Sequence, residues 1–367
     1  MAIKDLELEK LTTPLLEWFE ENKRELPWRS EPTPYRVWVS EIMLQQTRVE
    51  AVKPFFERFT KRLPDVKALA ECGEDELLKL WEGLGYYNRV RNMQKAARQI
   101  MEEYQGELPA DYEELLKLKG IGSYTAGAIA SIAYQIPVPA VDGNVLRILT
   151  RVSLDDTDIM KASFRKEIEQ QLRAYMQGDT FDNQFSGAYN QALMELGATV
   201  CVPNGAPDCR HCPWQELCEA HKEGRMMEFP VKTKAKARRI EKRTVFVIRD
   251  GERVAIRKRP AKGLLAGLYE LPNVEGELQQ EEVLEYVKSE GLAPLRIQKL
   301  ESAKHIFSHV EWHMNGYAIL VEELEEEKGD LLFVEAWDSQ ERYAIPAAFV
   351  AYAGYMGIKI GQEKFLE

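Results

Sequence analysis

A chain of 367 residues with 45% hydrophobic content has enough apolar side chain for two domains of about 100–200 residues each. No apolar run approaches the roughly 20 residues of a helical membrane span, so a membrane partner is not expected. The net charge of −11 speaks against a uniformly cationic nucleic-acid binder, which moves attention to how that charge is distributed.

Residues 1–228 read as helix. Leu8, Leu11, Leu15, Trp18 and Phe19 recur at helical spacing, as do Trp38, Ile42 and Gln45, and Pro27, Pro32 and Pro34 punctuate the connection between these stretches. Further helices are predicted at 49–60, 74–82, 89–104, 111–118, 124–134, 143–151, 161–176 and 184–198. This segment carries 28 Lys+Arg against 37 Asp+Glu. A basic strap follows at 229–243 with 7 against 1, read either as a solvated linker or as a strap along phosphates. Residues 244–367 are acidic again, with 14 against 22. Their texture is mixed: Thr244–Arg249 and Arg253–Arg257 flank Asp250-Gly251 as a hairpin, residues 280–290 look helical, and Trp312 to Val321 looks like a strand. The acidic run Glu322–Glu327 is expected to be a solvated loop.

Four cysteines fall within 18 residues, Cys201, Cys209, Cys212 and Cys218, spaced C-x7-C-x2-C-x5-C. The N-terminal stretch is charged with no signal-peptide core, which predicts a cytoplasmic, reduced setting in which such thiols serve a metal centre rather than disulfides. Their spacing alone leaves zinc and a 4Fe–4S cluster both open. Cys72 stands apart and reads as a small core residue. Lys119-Gly120-Ile121-Gly122-Ser123-Tyr124 sits between two predicted helices, so it is either an ordinary helix–helix turn or a phosphate cradle of backbone N–H groups. Asp142 precedes the apolar pattern Val145, Ile148, Leu149, Val152 and reads as an N-cap. As an N-cap it is expected to stay ionised, held by the helix dipole. Glu41 lies beside an apolar stripe. Such a position is usually a solvated flank, but if it faces a pocket, burial makes it a general acid.

Taken together, LKGIGSYT, VDGNVLRI and the cysteine loop resemble the endonuclease III-type DNA glycosylases. PWR, PYRVWVSEIMLQQTRV, WEGLGYYNRVRN and the C-terminal module narrow the resemblance to the adenine DNA glycosylases of the MutY type. That resemblance implies an all-α helix-hairpin-helix domain at 1–228 with an iron–sulfur loop at 201–218, a linker at 229–243, and an α+β Nudix-like recognition domain at 244–367. It implies a 4Fe–4S cluster on Cys201, Cys209, Cys212 and Cys218, although seven residues separate the first two where the family usually has six. The implied partner is duplex DNA holding adenine opposite 8-oxoguanine or guanine, bound by a monomer.

The same resemblance assigns roles residue by residue. Glu41 protonates the base, Asp142 stabilises the sugar cation, and Tyr124 and Asn144 position the groups around it. Tyr124 stands where β-lyase relatives carry a Schiff-base lysine, which implies a monofunctional enzyme. Gln46 and Tyr86 are wedges, Thr47 and Leu84 touch the lesion side, Gly120 and Gly122 hold phosphate, and Gln191 meets the adenine. Phe307, Ser308 and His309 resemble the loop that reads 8-oxoguanine. The alternative for that stretch is zinc on His305, His309 and His313, or a plain β-turn. Three rival functions remain: a thymine or uracil glycosylase of the same fold, a non-catalytic iron–sulfur DNA binder, and an active Nudix hydrolase. Gly276 to Leu292 lacks the paired carboxylates the last would need.

Overall fold

The computed structural model describes residues 6–233, 237–324 and 329–360. Lys234 to Lys236 of the basic strap and residues 325–328 of the acidic run lie outside the described residues. The chain divides into two compact units, Met1–Glu71 with Arg91–Ala235, and Cys72–Val90 with Lys236–Glu367.

Helices run in order α1 (Leu8–Asn22), α2 (Pro27–Ser30), α3 (Pro34–Leu44), α4 (Val49–Arg62), α5 (Val66–Glu71), α6 (Glu74–Leu80), α7 (Asn88–Glu103), α8 (Tyr112–Lys117), α9 (Ser123–Tyr134), α10 (Gly143–Ser153), α11 (Ala162–Met176), α12 (Ser186–Thr199) and α13 (Glu219–Lys222). The first unit is thus helical, as the apolar periodicity predicts. One of its cores joins Leu11, Leu15 and Phe19 of α1 to Val145, Ile148 and Leu149 of α10, Leu172 of α11, and Leu193 and Leu196 of α12. Each such side chain contributes about 1.5–3 kcal/mol on burial. Trp214 of the cysteine loop is 1% exposed and donates its indole N–H to the Leu11 carbonyl at 2.8 Å, tying that loop to α1.

Close helix approaches set the floor of the site. Asn190 of α12 is fully buried and donates to Ser131 Oγ at 2.8 Å and to the Val138 carbonyl at 2.9 Å, while accepting from Ala140 N–H at 2.9 Å. These bonds pin the segment leading into Asp142. Gly197 of α12 faces α10 so closely that a Cβ there would lie 2.6 Å from Asn144 Cβ. Only a glycine allows the two helices that approach.

The second unit contains an eight-stranded sheet of β1 (Arg239–Asp250), β2 (Arg253–Lys258), β3 (Tyr269–Glu270), β4 (Asn273–Glu275), β5 (Pro294–Lys299), β6 (Ala303–Ile306), β7 (Val310–Val321) and β8 (Leu332–Glu335). Its main path is β3-β2-β1-β7-β5, with β1 and β7 parallel over twelve pairs from Arg239↔Val310 to Asp250↔Val321. The predicted hairpin is present as β1 and β2, with Gly251 at φ +59. Helix α14 (Gln280–Ser289) packs Val283 and Val287 onto Phe246, Ile248, Tyr317 and Ile319 of one sheet face. On the other face, α16 (Val350–Met356), preceded by α15 (Ala336–Arg342), packs Tyr352 and Met356 with Trp312 and Val247.

Two boundaries differ from expectation. The linker expected at 229–243 ends earlier, because Arg239 to Arg243 are already paired with Val310 to Met314 as the first residues of β1. The segment Cys72–Val90, expected within the N-terminal domain on its helical texture, groups with the C-terminal residues. The reason is a set of buried polar contacts invisible to periodicity. Lys79 Nζ donates to the Tyr343 carbonyl at 2.6 Å, and Ile345 N–H donates to Glu82 Oε1 at 2.7 Å. Glu82 is 3% exposed and its charge is matched by Lys79 at 3.0 Å. Among the described residues, no helix is long and apolar enough to cross a membrane.

Candidate active site

Glu41 projects from α3 and is 6% exposed, so the solvated-flank reading does not hold. Burial raises its carboxyl to about 7. The Tyr124 hydroxyl, which donates to Glu41 Oε2, pulls the other way, and the Asp142 charge adds to the rise. Tyr124 sits in the first turn of α9, where burial and the neighbouring carboxylates push its phenol well above the ordinary tyrosine range. Its hydroxyl also lies 3.6 Å from the Met194 sulfur.

Asp142 is the N-cap of α10, as its position predicts. One carboxylate oxygen accepts from Val145 N–H at 2.8 Å and the other from Asn144 Nδ2 at 2.7 Å. Its pKa nevertheless moves up rather than down. Burial dominates, and the Val145 and Asn144 bonds offset it only in part. Asn144 in turn accepts from Arg147 Nη2 at 2.8 Å, and Arg147 Nε donates to the Cys201 carbonyl at 2.9 Å.

Gln191 is oriented by Arg29, whose Nε donates to its Oε1 at 3.1 Å. Arg29 Nη2 also reaches Glu195 Oε2 at 2.8 Å, and Arg24 Nε reaches Glu195 Oε1 at 2.6 Å. Glu195 is 1% exposed. Burial raises its carboxyl, but the hydrogen bonds from Arg24 and Arg29 outweigh that and hold it at about 2. A permanent anion thus fixes Arg29, and Arg29 fixes the Gln191 amide.

The hairpin turn lies between α8 and α9. Gly120 takes φ +81, where only glycine is unstrained, while Gly122 caps α9 in extended backbone with open space where a Cβ would stand. Six described non-glycine residues hold positive φ, and Gln46 and Tyr86 are two of them, at φ 62 and 48. Both are exposed, so each is presented to solvent on a backbone that costs energy to hold. Thr47 is half-buried, whereas Leu84 is buried and its carbonyl accepts from Arg89 Nη2 at 2.9 Å. A contact through the Leu84 side chain is therefore not available in this conformation.

In the second unit, Phe307, Ser308 and His309 form the turn between β6 and β7. Ser308 Oγ donates to Tyr86 Oη at 3.2 Å. Phe307 packs edge-on against His305 and Trp312, with centroids at 4.6 and 5.0 Å. Among the described residues, no three His, Cys, Asp or Glu side chains gather to hold a single metal ion. Of the three histidines that the zinc reading needs, His313 pairs its Nε2 with Glu311 Oε1 at 2.7 Å and His305 packs on Phe307. In α14, Glu282 is spent in a capping box with Gln279.

Cys201, Cys209, Cys212 and Cys218 line one cavity, together with Arg151, Trp214, Ile148 and Val200. Arg151 Nη1 approaches Cys201 Sγ at 3.2 Å. Burial pushes the Cys212 thiol up to about 12 and raises Cys209 and Cys218, so these thiols would ionise only against a positive charge placed among them. Cys72 is 8% exposed and apart from this set, in keeping with a core role.

A family profile described as "HhH-GPD superfamily base excision DNA repair protein" matches residues 39–174, and a NUDIX domain profile matches 244–353. Adenine DNA glycosylase of Rattus norvegicus is 35% identical over 84% of this chain and 70% of its own length. The adenine DNA glycosylase of Buchnera aphidicola subsp. Schizaphis graminum is 36% identical over 82% of this chain and 84% of its own. The chain belongs to the adenine DNA glycosylases. The structure of a thermostable thymine-DNA glycosylase superposes on 59% of this chain and 97% of that one with a TM-score of 0.52 at 23% identity, which speaks for the fold alone.

Membership makes the chain a base excision repair enzyme acting on DNA. The structure adds residues that motif reading misses. Arg29, Glu195 and Arg147 each stand about one helical turn from a predicted site residue or inside a motif, whereas Gly197 carries no such signal. Arg147 is three residues after Asn144, Glu195 is four after Gln191, and Arg29 ends PWR.

Proposed function

We propose that this adenine DNA glycosylase removes adenine opposite 8-oxoguanine or guanine by flipping the base out of the duplex and hydrolysing its N-glycosidic bond without cutting the backbone. The observation that carries the reading is Glu41. It is a buried carboxyl poised at about 7, hydrogen-bonded by a tyrosine where a nucleophilic lysine would make a lyase. Extrusion costs a few kcal/mol and is easiest at a mispair. Gln46 and Tyr86 fill the vacated stack, and Gln191, aimed by Arg29, meets the extruded base.

Glu41 gives its proton to adenine N7. The C1′–N9 bond then breaks, its electron pair stays with the base, and neutral adenine leaves an oxocarbenium ion on the sugar. Asp142, held by Val145 N–H and Asn144, faces that cation as an electrostatic partner or covalent nucleophile. The Glu41 carboxylate then takes a proton from water, whose oxygen bonds to C1′. Gly120 and Gly122 present backbone N–H groups to phosphate at the start of α9. Ser308, flanked by Phe307 and His309, reads the base opposite.

Cys201, Cys209, Cys212 and Cys218 fit a 4Fe–4S cluster. The four thiols line one cavity, and four thiolates are the ligand set such a cluster takes. When bound, such a centre would supply the positive charge these buried thiols need, and it would brace the loop next to α10. The protein is read as a monomer on DNA.

Single-turnover cleavage of a duplex with one adenine opposite 8-oxoguanine, assayed with and without hot alkali, tests the reading. Strand breaks that appear only after alkali, and not for adenine opposite thymine, are expected. Breaks without alkali, or equal cleavage opposite thymine, would overturn it.

A further inference from the structure

The basic strap is a sequence feature that the excision chemistry leaves unused, and its C-terminal end is engaged. Arg238 Nε donates to the Phe307 carbonyl at 3.0 Å, and Arg239 N–H donates to the His309 carbonyl at 3.1 Å. The two carbonyls flanking Ser308 are thus each taken by the strap. Phe307 N–H donates to the Val310 carbonyl at 2.8 Å and closes the turn from within. Beneath it, the Arg243 guanidinium lies 4.3 Å from the centre of the Trp312 ring, the same ring against which Phe307 packs.

These contacts have a shared consequence. Phe307 anchors the start of the turn on His305 and Trp312, but Ser308 and His309 are exposed, and the Ser308 hydroxyl has its one described bond to Tyr86. A short exposed turn keeps one geometry only where its backbone groups are bonded. Arg239 acts through its main chain as part of β1, and any residue but proline would serve. Arg238 acts through its side chain, so its identity matters.

We propose that Arg238 is a positioning residue for reading the opposite base: its side chain holds the Phe307 carbonyl and thereby aims the Ser308 hydroxyl. This rests on the reading of Phe307-Ser308-His309 as the lesion-recognising turn. A cation on the surface could instead contact a DNA phosphate, and the two roles separate cleanly. Loss of a phosphate contact weakens binding to every duplex alike and flattens the salt dependence. A brace changes the preference between opposite bases and leaves the salt dependence alone.

The experiment uses the full chain with Arg238→Gln, Arg238→Met and Ser308→Ala. Glutamine places its amide nitrogen the same number of bonds from Cα as arginine Nε, so it keeps the donor and drops the charge. Methionine keeps the length and drops both. Single-turnover rates are measured for adenine opposite 8-oxoguanine and opposite guanine, with binding to each duplex over a salt series. Arg238→Met is expected to lose roughly fivefold of the preference for 8-oxoguanine, about what one ordinary hydrogen bond supplies, and Arg238→Gln to retain it. Equal loss in both Arg238 variants, or parallel weakening on both duplexes with a flatter salt dependence, overturns the brace. Preference lost in Ser308→Ala but intact in Arg238→Met refutes the brace alone. Preference that survives Ser308→Ala refutes the reading of the turn, and the brace falls with it.

Discussion

Replacing Glu41 by glutamine removes the proposed acid, but it also tests the burial argument through stability. An ordinary glutamate titrates at 4.5, and in the fold Glu41 is raised to about 7. A carboxyl whose folded pKa is raised contributes fully below its unfolded value, and that contribution is lost as pH rises through the folded one. Between 4.5 and about 7 the wild type therefore loses stability that a permanently neutral glutamine keeps. At about 1.36 kcal/mol per unit, the full penalty is about 3 kcal/mol, with only about 1 kcal/mol expressed near pH ~5. For a unit of this size, 1 kcal/mol moves the melting midpoint by roughly 2–4 °C. Glu41→Gln is thus expected to melt roughly 6–12 °C above the wild type at pH ~8.5 and only a few degrees above it near pH ~5, while excising almost no adenine. Thermal denaturation followed by circular dichroism across that pH range reads the gap. A gap that stays constant with pH, or closes as pH rises, would refute the placement of Glu41 as a buried, raised carboxyl. Full excision by the variant would remove its catalytic assignment.

Three further outcomes are expected. Tyr124→Lys should acquire alkali-independent nicking and a borohydride-trapped DNA adduct, since an amine then stands beside Glu41; a variant that excises adenine yet never traps would place position 124 away from the sugar. Gly197→Ala sets a Cβ against Asn144 Cβ, at 2.6 Å in the unrelaxed fold, and should push Asn144 off Asp142. A rate loss of roughly tenfold or more with DNA affinity preserved is expected from a lost hydrogen bond to a carboxylate, and an unchanged rate would show that Asn144 does not hold Asp142 during reaction. Cys212→Ser should lower bound iron and sulfide while Cys72→Ser leaves both intact, and equal iron in the two variants would contradict the cysteine assignment.

The sequence by itself determined the helical first part, the β-hairpin of the second, the N-cap position of Asp142, the cysteine set and the family resemblance. These follow from periodicity, capping and short motifs, which are local properties of the chain. The tertiary structure decided the rest. Whether Glu41 is a solvated flank or a proton donor depends on how far packing removes it from water, and α3 alone leaves both open. The helix-end bonds at Asp142 favour its anion, yet burial, a property of the whole fold, outweighs them. Glu195, Arg29 and Gln191 form one hydrogen-bonded chain only because α12 and α2, which are distant in sequence, come together in the fold. The strap looks like a linker in one dimension because charge hides strand pairing, and β7, some seventy residues away, supplies the partner that makes its last third a strand. Residues 72–90 read as one more helical stretch until Glu82 and Lys79 find backbone partners beyond residue 338. In each case the deciding energy is desolvation or pairing between groups distant in sequence, and no local pattern records it.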